Sequence, residues 1–292
     1  MKGKLPRIGV VILNYKNYED TIDCVNSILN QTYSNYIIVI VINGTEGNSF
    51  EVLSRLYANN ALISIIQNEL NLGFAQGNNT GIRYALKELM CDYIFVLNND
   101  TIVAESLLME ISKVNIGDDV GVISPKVTDI DGIMQPPTIN FSNITKYTFL
   151  SCYHVLLALF LSSKYIKKIY AFYKSKKQYY QMQSELRINK YSLHGSAYFL
   201  TPNFFHFYCQ LFPKTFLYWE EINLMWYLHK VNLKSVIVNG SGVIHKESQT
   251  VKKIKSADEI EIWKLKMSFR SMIKSLPMFF LSYEQIKKKY LD

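Results

Sequence analysis

The triplet Asn98-Asn99-Asp100 follows an apolar run, YIFVL, and contains residue types that hold hard cations. A carboxylate flanked by amides at the end of a buried strand can bind a divalent cation, which can neutralise a departing diphosphate. Asn and Asp are also common turn formers. Taken alone, the triplet therefore favours an ordinary turn over a metal site.

A second polar segment, NLGFAQGNN at residues 71–79, joins a predicted strand to a predicted helix. Its glycines allow the backbone to approach a ligand closely, and the N-terminus of the next helix favours anions. The segment matches neither the dinucleotide-binding G-x-G-x-x-G pattern nor a P-loop. By itself it is a weak signal for a nucleotide site.

The acidic pair Glu220-Glu221 follows Trp219 at the predicted start of a helix. Acidic residues in a first turn are stabilised by the helix dipole whether or not they do chemistry. A carboxylate that faces a cleft can also accept the proton of an attacking hydroxyl. His194 and His245 are isolated, and an isolated histidine is more often structural than catalytic.

Alternating strand and helix patterns must position these residues. Apolar runs at 8–13, 36–42, 62–66 and 92–97 predict strands, and helical spacing of apolar residues lies between them. This alternation predicts a mostly parallel α/β sheet flanked by helices, with a ligand beyond the carboxyl ends of the strands. Later patterns predict strands at 197–201 and 235–239, a helix at 219–230 and a final helix opened by Ser256 and Glu259.

The segment from 147 to 180 departs from this alternation. An apolar stretch, Phe149 to Leu161, precedes a basic aromatic stretch. Thirteen apolar residues are too few for a bilayer span, which takes about 20. We favour an interfacial amphipathic segment over a helix pair packed on the core with a solvated lysine face. The lysines expected at the headgroups are Lys164, Lys167, Lys168, Lys174, Lys176 and Lys177.

Composition limits the class of protein. The chain has 292 residues, 49% of them hydrophobic, which excludes global disorder. Its net charge of +8 favours anionic partners such as nucleotide diphosphates or acidic lipids. Four scattered cysteines predict a reducing compartment, and the N-terminus lacks the long apolar region of a signal peptide. The basic aromatic tract is the only feature compatible with nucleic-acid binding, so no nucleic-acid partner is expected.

The order of these motifs resembles a known enzyme family. VVILNYKNYEDTIDCVNSILNQTYSNYIIVIVINGT is similar to the opening of family 2 glycosyltransferases. NELNLGFAQGNNTGIRYAL and DYIFVLNNDT resemble the rhamnosyltransferase-like branch of that family, and LHGSAYFLTP, TFLYWEEINL and VIHKESQT resemble its later motifs. The resemblance covers about residues 7 to 250. It implies a GT-A fold and an inverting, metal-dependent transfer from a nucleotide-sugar with Mg²⁺ or Mn²⁺.

The resemblance also implies a role for each motif. Asp100 matches the metal-binding acid, and His245 a histidine that joins the metal site in some members. Glu221 matches the general base, with Glu220 as the alternative. The donor-binding positions are Asn14, Tyr15, Asn43, Asn71, Gly73, Phe74, Gly77, Asn78, Asn98 and Asn99. The acceptor-side positions are His194, Gly195 and Trp219.

Three positions depart from the family pattern. Ile42 stands where the family usually has an Asp that holds the nucleobase. The DxD-like motif keeps a single acid, Asp100, and the acidic pair is Glu-Glu instead of Glu-Asp. These departures leave open a second hypothesis, a degenerate, non-catalytic GT-A-like interaction module.

The predicted organisation is a GT-A catalytic domain over residues 1–250, with a nucleotide-sugar half at about 1–125 and an acceptor half at about 190–250. It contains a membrane-associating helical insertion at 141–190, and a basic helical tail follows at 251–292. The expected activity is transfer of a sugar, rhamnose or another hexose, to a hydroxyl of a lipid-linked saccharide. The expected location is the inner face of the cell membrane, as in bacterial capsule, O-antigen or cell-wall polysaccharide synthesis.

Overall fold

The first part of the chain alternates strands with helices, as the sequence predicts. The computed structural model describes residues 5–137, 139–160, 190–246 and 257–291. The elements up to residue 98 are β1 (Ile8–Asn14), α1 (Tyr18–Leu29), β2 (Tyr36–Asn43), α2 (Ser49–Leu56), β3 (Ile63–Asn68), α3 (Gly73–Lys87) and β4 (Tyr93–Asn98).

The later part has strands of uneven length and more helices within the described residues. Its first elements are β5 (Thr101–Val103), α4 (Leu107–Lys113), β6 (Val120–Thr128), β7 (Ile139–Phe141), α5 (Ile144–Phe160) and β8 (Tyr191–Leu193). They are followed by β9 (Ala197–Leu200), α6 (Pro202–Phe207), α7 (Glu220–Lys230), β10 (Lys234–His245), α8 (Ala257–Phe280) and α9 (Tyr283–Tyr290).

One eight-stranded sheet organises these elements, in the order β3-β2-β1-β4-β9-β6-β10-β5. The strands predicted to be parallel, β3, β2, β1 and β4, are parallel. The sheet as a whole is mixed, because β9 lies antiparallel between β4 and β6, and β5 lies antiparallel to β10 at the edge. The predicted α/β class with flanking helices is confirmed.

Both faces of the sheet are covered, which explains the continuous apolar runs of its strands. Along β1, Ile8, Val10 and Ile12 pack into a cluster with α1, α2 and α4. Val11 faces the opposite cluster, formed with α3 and the C-terminal helices. This alternation follows from the two-residue period of a strand.

Two glycines allow α3 to lie directly on the sheet. A Cβ at Gly81 would lie 2.5 Å from Val11 Cγ1, and one at Gly77 would lie 2.7 Å from Leu13 Cδ1. Their spacing of four residues puts both on one face of the helix. Gly77, predicted to contact the donor, therefore packs on β1, and this close packing positions the segment just before α3.

The structure differs from the predicted elements at several points. The strand expected at 235–239 extends from Lys234 to His245, with register shifts before Ser235 and between Ile237 and Gly242. The short pair β7 and β8 and helix α4 were not predicted. Within the described ranges, no helix is long and apolar enough to cross a membrane. The lysines from 164 to 177 and the cap residue Ser256 lie outside the described residues.

Candidate active site

A cavity of about 270 Å³ gathers residues from most of the predicted motifs. This volume is close to the lower limit of typical small-ligand sites. Five distant parts of the chain meet there: the start of α3, the end of β4, the segment around β9, the start of α7 and the end of β10. The lining residues are Phe74, Asn98, His194, Gly195, Ser196, Tyr198, Leu217, Tyr218, Glu220, Glu221 and His245.

A strained turn delivers the acidic pair to the cavity. Tyr218 and Trp219 are consecutive non-glycine residues with φ of 69° and 74°. Such left-handed residues are costly and persist where the surrounding structure holds them. Trp219, predicted on the acceptor side, is buried and donates its Nε1–H to Ser268 Oγ at 3.0 Å. It therefore anchors the turn against α8 and does not line the cavity.

Burial makes ionisation of both acidic residues costly. The pKa of Glu220 is raised to about 8, mainly by burial and to a smaller extent by the neighbouring charge of Glu221. Burial also raises the pKa of Glu221. Glu220 Oε1 is buried without a hydrogen-bond partner. At neutral pH Glu220 therefore keeps its proton.

Gly195 forms the wall against which the Glu221 carboxylate rests. A Cβ at position 195 would lie 2.1 Å from Glu221 Oε1 and 3.0 Å from its Cδ. No side chain larger than hydrogen fits without moving the carboxylate. The glycine predicted on the acceptor side is thus in direct contact with the candidate base.

Gly195→Ala is expected to displace the Glu221 carboxylate and lower turnover about 100-fold, because a 1 Å misplacement of a reacting group costs about that much. Folding stability should change little, since the displaced atoms are the end of a flexible side chain. Gly117→Ala is the matched control, because its Cβ would meet only the exposed Asp119 side chain, at 3.1 Å. Turnover and melting temperature of both variants test this; wild-type turnover in Gly195→Ala would contradict it.

Asp100 and His245 come together through the edge of the sheet. β5 pairs with β10 so that His245 lies opposite Thr101, next to Asp100. Asp100 is 5% exposed, and its Oδ2 lies 3.5 Å from His245 Nε2. Lys246, the next residue after His245, forms ion pairs with α1: its Nζ lies 3.2 Å from Asp20 Oδ1 and 2.6 Å from Asp23 Oδ2. The end of β10 is thereby held beside β4.

Gln135 determines which His245 nitrogen carries the proton. Its amide Oε1 lies 3.1 Å from His245 Nδ1. An amide oxygen only accepts, so Nδ1 donates and the Nε2 lone pair faces the Asp100 carboxylate. Nothing in the sequence marked Gln135, because it lies in a polar hairpin after β6.

The Asp100–His245 pair fits a divalent cation. Two acceptors facing each other at 3.5 Å are stabilised by a cation between them. Within the described part of the chain, no group of three or more His, Cys, Asp or Glu residues is arranged to hold a metal ion. Further ligands would have to be water and a substrate diphosphate, as is common for Mg²⁺ sites.

His194 also adjoins this pair. Its ring packs edge-on to His245 with centroids 5.6 Å apart, and its Nδ1 lies 2.8 Å from Ser196 Oγ. Burial, with a smaller contribution from His245, lowers the pKa of His194 to about 4. His194 is therefore a neutral hydrogen-bonding group at pH 7.

The segment before α3 is organised by one buried amide. Asn43 Nδ2 donates to Asn71 Oδ1 at 2.9 Å and to Gly73 O at 3.1 Å, while its Oδ1 accepts from Leu72 N and Asn68 Nδ2. Asn43 and Asn71 are thus engaged inside the protein. Phe74, whose N–H donates to the Phe216 carbonyl at 2.7 Å, lines the cavity.

Several predicted donor-binding residues lie away from the cavity. Asn14 and Asn99 both donate to Asn17 O and Thr21 Oγ1, so they hold the start of α1. Asn78 Nδ2 donates to the Phe74 carbonyl inside α3. Tyr15 is partly exposed beside the Lys16–Glu46 ion pair.

Four cavity residues were not singled out from the sequence: Ser196, Tyr198, Leu217 and Tyr218. They lie within the motifs LHGSAYFLTP and TFLYWEEINL, and this is the only signal that marks them. Ile42, at the position of the usual nucleobase-binding Asp, is 3% exposed and packs in the core.

Comparisons with known proteins identify similar sequences and folds. Residues 9–148 match the family model for glycosyl transferase family 2. The chain is 33% identical over 101 residues to glycosyltransferase GlyG of Streptococcus pneumoniae, covering 35% of this chain and 32% of that protein. It is 28% identical over 129 residues to the low-salt glycan biosynthesis hexosyltransferase Agl10 of Haloferax volcanii, covering 44% and 39%. The matches span about a third of the length of these relatives.

Solved structures decide the fold. TarS of S. aureus, residues 1–349 with UDP, superposes with a TM-score of 0.52 at 10% identity, covering 90% of this chain and 65% of that chain. GalNAc-T7 with UDP, GalNAc and Mn²⁺ superposes with a TM-score of 0.54 at 13% identity, covering 98% and 57%. The fold is GT-A. The family-model match covers just under half of the chain, and the solved structures show the fold alone.

Proposed function

We propose that this GT-A protein is an inverting glycosyltransferase that moves a hexose, with rhamnose as one candidate, from a nucleotide-sugar to a saccharide hydroxyl. One observation carries the proposal: the Glu220–Glu221 pair and His245, the partner of Asp100, line the same cavity. A base and a site for a diphosphate counter-cation on one cavity are what a single displacement at an anomeric carbon needs.

In this proposal, Asp100 and His245 hold Mg²⁺ or Mn²⁺, which would neutralise the departing nucleoside diphosphate. The presence of Mn²⁺ in GalNAc-T7 and of UDP-GlcNAc in TarS supports a metal and a nucleotide-sugar as partners. Ile42 leaves the nucleobase without its usual acidic contact, so the nucleotide stays open.

Glu221 is the proposed base. Because its pKa is raised, Glu221 can hold the proton that it takes from the attacking hydroxyl. Glu220 beside it stays neutral. Gly195 holds the Glu221 carboxylate in position, and Phe74 and Tyr218 narrow the cavity around the reacting atoms. The acceptor oxygen would attack the anomeric carbon from the face opposite the nucleotide.

A panel of nucleotide-sugars tests the proposal by thermal shift with and without Mn²⁺. The panel contains dTDP-rhamnose, UDP-glucose, UDP-galactose, UDP-GlcNAc and GDP-mannose. A ligand at a hundredfold excess over its Kd stabilises the folded state by about 2.7 kcal/mol. One metal-dependent shift, followed by transfer to an acceptor, is the expected result. No shift for any donor with folded protein would favour the non-catalytic module.

Gln135→Leu is expected to weaken Mn²⁺ binding about 10- to 100-fold, because the residue that orients a metal-binding histidine typically contributes that much. Gln135→Glu keeps an acceptor for His245 Nδ1 and should retain binding. Electron paramagnetic resonance of Mn²⁺ with donor-free protein measures the affinity directly. Equal affinity in wild type and Gln135→Leu would remove Gln135 from this role.

We also propose a lipid-linked saccharide acceptor and peripheral attachment to the inner face of the cell membrane, in surface polysaccharide synthesis. The basic aromatic sequence from Lys164 to Lys177 supports an anionic membrane surface as partner.

A further inference from the structure

Helix α5 is apolar on two opposite faces. Its inner face, with Ile144, Thr148 and Val155, packs against the core. Its outer face exposes large apolar side chains at spacings of three and four residues, which form one continuous stripe. The outer stripe consists of Phe149 (77% exposed), Leu150 (47%), Tyr153 (52%), Leu156 (51%) and Leu157 (37%).

This outer stripe needs an apolar partner. Five large side chains on one helix face form a contiguous exposed patch, and such patches on soluble domains mark contact surfaces. From Tyr147 to Ser163 the sequence has no Asp, Glu, Lys or Arg. Over its described length, Ile144–Phe160, the helix is not long and apolar enough to span a bilayer. Its geometry suits a helix lying in the plane of a membrane interface.

Charge around the stripe identifies the surface that it meets. Along the sequence, residues 132–184 contain no Asp or Glu and seven lysines. Lys146 lies on α5 and is exposed, and the other six lie outside the described residues. Helix α8, which packs against α5, exposes further basic side chains: Lys264, Lys266, Arg270 and Lys274. Apolar side chains beside these exposed basic residues complement an anionic lipid surface.

The inner face of the same helix adjoins the candidate active site. Thr148 Oγ1 accepts a hydrogen bond from Trp226 Nε1 on α7 at 2.9 Å. Burial raises the pKa of Tyr147, and the charge of Glu221 raises it further. The outer stripe therefore lies on the side of α5 opposite to the side that contacts α7, the helix that carries the acidic pair.

We infer that the outer stripe of α5 docks the protein on an anionic bilayer, with Phe149 and Tyr153 entering the headgroup boundary. Docking brings Glu221 close to the membrane surface, within reach of a short lipid-linked saccharide. The membrane setting rests on the proposed function, but docking itself requires neither donor nor catalysis, so transfer activity and docking can fail separately.

Flotation with vesicles tests the inference, using phosphatidylglycerol–phosphatidylcholine mixtures and phosphatidylcholine alone. Wild-type protein should float with the anionic vesicles and lose binding in high salt. Phe149→Glu should lower the partition coefficient at least about tenfold. It removes an aromatic side chain that enters the membrane and adds a negative charge that the anionic lipids repel. Phe50→Glu, at an exposed Phe of α2, is the matched control and should float like wild type.

Circular dichroism melting and light scattering distinguish other occupants of the outer stripe. An unchanged melting temperature with lost flotation supports docking. A lower melting temperature with unchanged flotation overturns it, since the stripe would then be covered by the chain itself. If wild-type protein self-associates but does not float, and Phe149→Glu abolishes the self-association, the inference is also overturned. The outer stripe would then bind a second copy of the chain. Leu156→Gln, a milder change, repeats the test if Phe149→Glu does not fold.

Discussion

Glu221→Gln is expected to lower the rate of sugar transfer by about 10²- to 10⁴-fold, the usual contribution of a general base. Gln keeps the size of the side chain beside Gly195 but cannot accept a proton. Donor binding should survive, because Glu221 is not part of the Asp100–His245 pair. Single-turnover transfer and donor-induced thermal shift measure the two effects separately.

The neighbouring acid supplies the matched control. Glu220 holds its proton at neutral pH, so Glu220→Gln should keep most of the activity. Its stability effect has a defined sign. The pKa of Glu220 is raised from its ordinary value of 4.5 to about 8, so wild-type stability falls as pH rises through that range. The Gln variant has no carboxyl group to ionise at this position and does not lose this stability. Its free energy of unfolding should therefore rise relative to that of wild type between about pH 5 and 8. If Glu220→Gln were inactive and Glu221→Gln active, Glu220 and not Glu221 would be the base.

The sheet was predictable because burial on both faces leaves a strong trace. β1, β2 and β4 are continuous apolar runs, and helical periodicity separates them. β10 was predicted too short because Gly240-Ser241-Gly242 interrupts its apolar run. The strand continues past these residues through a register shift against β6. A three-residue strand such as β8 is too short to show a period at all.

Site residues that belong to a sequence motif could be predicted, whereas site residues whose role depends on tertiary contacts could not. The acidic pair, Asp100 and His245 were identified through the family resemblance, and the structure brings Glu220, Glu221 and His245 to one cavity. Asn14 and Asn99 show the limit of this reasoning. An amide after a strand can bind a ligand or cap a nearby helix, and only the position of α1 decides between them. Gln135 acts through a single side-chain contact that no local pattern encodes.

Asp100 gives the second large expected effect. Asp100→Asn keeps the shape of the side chain and removes the one carboxylate that faces His245 Nε2 at 3.5 Å. Without that charge, a divalent cation loses its strongest protein ligand, since Mg²⁺ and Mn²⁺ prefer carboxylate oxygen. The metal-dependent part of donor binding should therefore disappear, and turnover with it. The expected signature is a donor-induced thermal shift that no longer responds to Mn²⁺.

Asp92→Asn is the matched control for Asp100→Asn, because Asp92 precedes β4 and Asp100 follows it, at opposite ends of one strand. Asp92 is exposed and accepts the Arg7 N–H at 2.7 Å, a bond that an Asn oxygen can still accept. Both variants lose one negative charge, so general electrostatics change equally. Only Asp100→Asn should lose the Mn²⁺ response and transfer. A donor shift that keeps its full Mn²⁺ dependence in Asp100→Asn would mean that the cation binds elsewhere, and Asp100 would then have only a structural role beside His245.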